Sequence, residues 1–127
     1  MVEWIDEVAH ISADELHAIV NDPTKTDVVV IDVREPDEYT AGHIPGVPLI
    51  PKGQFPNIVD QLDPNAEYVF ICRSGRRSFD VAKFLQGHGF SHVHNYKGGM
   101  LVWDKDMVAG PEHVIENLTS MDQLKRL

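Results

Sequence analysis

The chain has 127 residues, 43% of them hydrophobic and 24% charged, with a formal net charge of −9. This suits one soluble domain that buries roughly two-thirds of its unfolded surface without staples. The lone cysteine excludes an internal disulfide, the lack of any run of about eighteen apolar residues excludes a membrane-crossing helix, and the absence of a broad basic face argues against a nucleic-acid partner.

The opening MVEWIDEVAH lacks the basic start and long apolar stretch of a secretory signal. With a single cysteine, this leads to the expectation of a cytoplasmic protein. Ile11, Ser12 and Glu15 spell a hydrophobic staple and capping box, and Leu16, Ile19 and Val20 supply the apolar face of a helix that Asn21-Asp22-Pro23 ends. Val28 to Ile31 reads as a strand buried on both faces. Asp32 and Arg34 follow it, either lining a site or forming an ion pair that fixes the turn, and the second reading is preferred. Pro36 starts a short helical turn through Tyr39, stopped by Gly42, and His43 follows in the stretch Gly42-His43-Ile44-Pro45-Gly46. Phe55, Ile58, Val59 and Leu62 have helical spacing, and Asp63-Pro64 ends that element.

Tyr68 to Ile71 is an unbroken aromatic and β-branched run, the pattern of a central strand, with Cys72 at its C-terminal end. Arg73, Ser74, Gly75, Arg76, Arg77 and Ser78 make a polar turn, after which Val81, Ala82 and Leu85 recur at helical spacing down to Gly87 and Gly89. Three of the five arginines lie in that turn, so the positive field is local in an acidic chain. A lone buried cysteine is ordinarily an inert small hydrophobe. Arginines and a helix N-terminus, however, favour a thiolate and form a cradle for anions, so Cys72 reads as a reactive thiol. Ser91 to Asn95 alternates as an edge strand with His92 and His94 on its surface face. With His88 they raise the question of zinc, but a structural zinc site ordinarily includes thiolates and the one cysteine lies in the loop, so no metal is expected. Tyr96 to Gly99 turns into a final helix containing Leu101, Val102 and Trp103. In the tail, Val114, Leu118, Met121, Leu124 and Leu127 form an amphipathic seam, and Ser120 with Gln123 is placed to cap a short helix. The seam either packs on its own domain, the preferred reading, or forms a partner or dimer interface.

The loop CRSGRRS resembles the active-site loop of rhodanese-like domains, the single-domain sulfurtransferases. VVVIDVR with Glu35-Pro36-Asp37-Glu38-Tyr39, the GHIPG stretch, and Lys97-Gly98-Gly99-Met100 with Trp103 are similar to further signatures of that family, in the same order, over roughly residues 8 to 104. The resemblance implies an α/β fold of rhodanese type: a mainly parallel sheet of about five strands with helices on both faces, in one domain over 1–127, with 105–127 a C-terminal helical extension. It implies sulfur transfer without a cofactor through a Cys72 persulfide. The donor is a small anion such as thiosulfate, and the acceptor a thiol or protein, with cyanide serving in vitro.

On this view the amides from Arg73 to Ser78 hold the persulfide and the arginines attract the donor, Arg77 first. His43, in a stretch that shapes the fold, is expected to hydrogen-bond backbone. Cysteine-dependent phosphatases place Arg six positions after Cys, where this chain has Ser78, while Arg77 lies five positions on, which resembles the tighter sulfurtransferase loop. A non-catalytic binding module of the same fold, a phosphatase and an arsenate reductase remain the alternatives.

Overall fold

Runs of β-branched and aromatic residues build the centre of the molecule. The computed structural model describes residues 3–5 and 8–127. In chain order these form β1 (Glu3–Ile5), β2 (Val8–Ile11), α1 (Ala13–Val20), β3 (Val28–Asp32), α2 (Pro36–Ala41), α3 (Phe55–Ile58), β4 (Glu67–Ile71), α4 (Arg76–Gln86) and β5 (Val93–Tyr96). Short 3-10 turns flank α3 and follow β5. The sheet runs in the order β1-β2-β5-β4-β3. The pairs β2–β5, β5–β4 and β4–β3 are parallel, and β1 pairs antiparallel with β2. The fold is therefore the mainly parallel α/β sheet expected, four parallel strands with a short antiparallel strand at one edge.

Parallel strands buried on both faces need apolar side chains pointing each way. In β4 and just beyond it, Tyr68, Phe70 and Cys72 join Val81, Ala82 and Leu85 of α4 in one core. Val69 and Ile71 join Leu16 of α1, Ile44, Tyr96 and Trp103 in the other. The capping box at α1 is formed in both directions: Glu15 N–H donates to Ser12 Oγ at 3.2 Å and Ser12 N–H to Glu15 Oε1 at 3.1 Å.

Three expectations change. First, β2 was not foreseen, because a four-residue strand directly before a cap reads as the lead-in to a helix. Second, the strand expected at an edge over 91–95 lies inside the sheet between β2 and β4, where Val93, Asn95 and Tyr96 are buried. Its polar letters imitate a solvated edge because Asn95 meets its hydrogen bonds inside. His92 precedes the strand, and His94 is half-buried with Nδ1 3.0 Å from the Tyr68 carbonyl. Third, of the helical extension expected over 105–127, the helix present is the 3-10 turn Met121–Leu124, capped by Ser120 and Gln123. The rest of the tail runs along the domain: Leu49 N–H donates to the His113 carbonyl, and Ile115 N–H to that of Leu49. Leu118 and Leu124 are buried in the same core as the apolar face of α4 and Met121 packs against it, while Leu127 at the end of the seam is exposed. Among the described residues no helix is long and apolar enough to cross a membrane.

Candidate active site

Strand β4 delivers Cys72 to the C-terminal edge of the sheet, where α/β folds bind ligands. Period-two alternation points its side chain toward α4, and the residue is fully buried. Gly75 then reverses the chain with φ 92°, a left-handed conformation that glycine adopts without a Cβ clash, and caps α4. This bend aims two donors at the sulfur: Gly75 N–H at 3.1 Å and Ser78 Oγ–H at 3.2 Å from Sγ. Behind the loop, Gly99 at φ 63° packs so closely that an added Cβ would lie 2.5 Å from the Cys72 carbonyl oxygen. That approach allows Met100 N–H to donate to the Cys72 carbonyl at 2.9 Å and Leu101 N–H to that of Arg73 at 3.0 Å. The paired glycines of the late motif clamp the cysteine loop.

The three loop arginines are not equivalent. The Arg77 guanidinium is gripped by Glu38 of α2 in two parallel bonds of 2.7 and 2.8 Å. That hydrogen bonding holds the Glu38 carboxyl down at about 2 and raises the Arg77 guanidinium, to which the Cys72 charge also contributes. Arg77 therefore fastens α2 to the loop while its charge lies near the sulfur. Arg76 is 82% exposed, with Nε 3.8 Å from Asp80, and Arg73 is exposed as well. These two have the side chains with freedom to meet an incoming anion. Ser74 is exposed at the loop tip.

At the end of β3, Asp32 and Arg34 form a buried pair. Arg34 Nη2 donates to Asp32 Oδ2 at 2.8 Å and to the Gly42 carbonyl at 2.8 Å, and Arg34 N–H donates to Asp32 Oδ1 at 3.0 Å. Burial pushes the Asp32 carboxyl up, against the pull of the Arg34 bonds. His43 is also fully buried, stacked on Tyr39 at 3.7 Å between ring centroids. Its Nδ1 lies 3.0 Å from the Tyr39 carbonyl and its Nε2 3.1 Å from Glu112 Oε1 of the tail. All three residues are engaged in joining the turn after β3 to the GHIPG stretch.

Sequence reasoning missed Asn95. Its side chain is buried beside the loop, where Oδ1 accepts from Ser78 Oγ–H and Nδ2 donates to the Gly75 carbonyl at 2.9 Å. The available signal was a polar residue at an inward strand position just before the double glycine. A cavity of about 260 Å³ opens here, with His10, Gly75, Arg76, Phe79, Asn95 and Lys97 among its walls. A larger groove of about 890 Å³ lies at the opposite end of the sheet, between the end of α1 and the C-terminal turn. Cys72 is not among its walls, so size does not locate the cysteine chemistry.

A family model of the rhodanese-like domain matches residues 12–106. The chain belongs to the rhodanese-like domain family. It is 46% identical over 78 residues to the Bacillus subtilis protein named "Putative sulfurtransferase YtwF", a match covering 61% of this chain and 75% of that one. It is 31% identical over 80 residues to the thiosulfate sulfurtransferase GlpE of Pseudoalteromonas translucida, covering 63% and 76%. Of two other relatives it spans only 33% and 40% of their length. A rhodanese-like domain protein from Staphylococcus aureus superposes with a TM-score of 0.69 at 31% identity, covering 79% of this chain and 96% of that one.

Proposed function

We propose that this protein is a sulfurtransferase of the thiosulfate sulfurtransferase type, with Cys72 as its nucleophile. One observation carries the reading: a lone cysteine sulfur at the start of a helix receives an N–H and an O–H donor inside an arginine-rich loop of sulfurtransferase length. The names of the relatives support it.

In the first half-reaction the Cys72 thiolate attacks the outer sulfur of thiosulfate. The sulfur–sulfur bond of the donor breaks, its electron pair leaves with sulfite, and the new outer sulfur stays on Cys72 as a persulfide anion. In the second half-reaction a nucleophile takes that outer sulfur and the Sγ electron pair returns to the thiolate. Cyanide yields thiocyanate in a test tube, and a small thiol or a protein thiol is the acceptor in the cell. Two half-reactions through one covalent intermediate imply ping-pong kinetics. The loop amides hold the persulfide, as oriented N–H groups at helix starts hold anions. Arg73 and Arg76 draw in the dianionic donor, and Arg77, fixed by Glu38, adds its field. Asp32, Arg34 and His43 serve the scaffold, and no metal or cofactor enters. The single thiol suits a cytoplasmic, reducing setting, with neither nucleic acid nor membrane as partner.

The test is the intact mass of the protein after thiosulfate and then after cyanide, with Cys72→Ser alongside. A gain of one sulfur that cyanide removes, absent from the variant, is the expected result. No added sulfur from any donor overturns the reading in favour of a binding module.

A further inference from the structure

We propose that Asn95 is a positioning residue that competes with the Cys72 sulfur for the single proton of the Ser78 hydroxyl. The orientation of the Asn95 amide follows from its neighbours. Its Nδ2 lies 2.9 Å from the Gly75 carbonyl, which only accepts, and 3.2 Å from His10 Nδ1. The NH₂ group therefore occupies that side and Oδ1 faces Ser78. A serine hydroxyl has one proton to donate, and both Asn95 Oδ1 and Cys72 Sγ are in reach of it. The Cys72, Ser78 and Asn95 side chains are all buried, so the loss of one hydrogen bond among them is felt by the other partners.

The proton's position depends on the state of the sulfur. With Cys72 as a thiol, S–H donates to Ser78 Oγ and the Ser78 proton goes to Asn95, which satisfies every group. With Cys72 as a thiolate, the negative sulfur claims the Ser78 proton and Asn95 Oδ1 loses its donor. In the persulfide the charge sits on the outer sulfur, Sγ is neutral, and the proton returns to Asn95. This last state rests on the sulfurtransferase reading above.

Discharge to cyanide then proceeds as follows. The cyanide carbon bonds to the outer sulfur, the Sγ–S bond breaks, its electron pair passes to Sγ, and thiocyanate leaves, with two negative charges before and after. The Ser78 proton swings onto Sγ as its charge develops and stabilises the leaving thiolate. Asn95 opposes that swing and so tips the balance toward the sulfur-loaded form.

Two substitutions should act in opposite directions. Ser78→Ala removes the donor and moves the thiol titration up by about one unit, since a hydrogen bond to a charged group is worth about that much. Asn95→Leu removes the competitor at similar volume and moves the titration down, by about half a unit. In the double variant the Asn95 effect vanishes, because there is no longer a proton to compete for. Other charges act on the sulfur: Arg73, Arg76 and Arg77 from its own loop and helix, with Glu38 behind Arg77. The Asp32–Arg34 pair ends the neighbouring strand, and His10 and Lys97 share the cavity behind Asn95. Each of these is retained in all the variants, so they cancel in the comparison.

The experiment is a pH titration of thiolate ultraviolet absorption in the parent, Ser78→Ala, Asn95→Leu and the double variant, with Cys72→Ser as blank and thermal melts to confirm folding. Opposite shifts that collapse in the double variant support the proposal. An unchanged midpoint in Ser78→Ala overturns it, as does a shift from Asn95→Leu that persists without Ser78. If Asn95→Leu does not fold, Asn95→Ala supplies that arm, alone and with Ser78→Ala. In single turnovers above the thiol midpoint, Ser78→Ala should discharge a preloaded persulfide to cyanide about tenfold more slowly without slowing loading by thiosulfate. Equal slowing of both steps overturns the leaving-group role, and Ser78→Thr should restore discharge. A parent that takes up no sulfur refutes the sulfurtransferase reading, while the titration still decides the proton competition.

Discussion

Two clusters of charge stand side by side at the C-terminal edge of the sheet, the Asp32–Arg34 pair after β3 and the Cys72 loop after β4, on strands registered with Asp32 opposite Ile71. In the first, the guanidinium donates to the carboxylate and to the carbonyls of Glu38 and Gly42. That set is closed whatever ligand is present. In the second, an N–H and an O–H converge on one sulfur whose charge changes with its chemical state. Charge density alone does not separate the two. What separates them is whether the proposed reaction changes the charge of the acceptor.

The sharpest way to break this comparison is Cys72→Ser. Sulfur uptake, measured by intact mass, should be lost completely with the melting transition preserved, because serine is nearly isosteric and no disulfide is involved. Next, Asp32→Ala should leave Arg34 buried without its partner and lower stability by about 3–5 kcal/mol in urea titration. The fraction that remains folded should still take up sulfur. Arg73→Ala and Arg76→Ala together should raise the thiosulfate concentration for half-saturation on the order of tenfold at low salt, an effect that added salt erodes. Unchanged saturation would remove both from donor capture.

The smallest effect is expected at Glu38, where Glu38→Gln should cost about 1 kcal/mol, as partly exposed ion pairs do. The sign of its pH dependence follows from the depressed carboxyl, at about 2 in the folded state. Its contribution is present above the usual carboxylate range and lost as pH falls through about 2. The parent should therefore lose more stability than Glu38→Gln on acidification through that window, and equal losses would deny the ion pair its role.

Some of this molecule is written locally. The Ser12–Glu15 capping box spans three residues and formed as read, because its bonds close within one helical turn. The Val28 and Tyr68 runs became neighbouring parallel strands for a similarly local reason: β-branched and aromatic residues suit a pleat covered on both faces. The cysteine loop was legible because strand, glycine turn and helix follow one another without a gap.

Other features depend on partners far along the chain. The loop sequence singles out Arg77 as a donor contact but carries no sign of Glu38, 39 residues away, which folding brings onto its guanidinium. Asn95 looked like a surface letter on an edge strand, and only the insertion of β5 between β2 and β4 buried it beside Ser78. His43 faces Glu112 across 69 residues.

By itself, then, the sequence determined the two central strands, the helix before β3, the placement of Cys72 at a strand end and the length of its loop, all set by short-range sterics and hydrogen bonding. Only the tertiary structure decided which arginines stay exposed, which strand lies inside the sheet and which amide shares a proton with the sulfur's serine. Those outcomes depend on burial, and burial is settled only when distant segments pack together and each polar group must find a partner out of water.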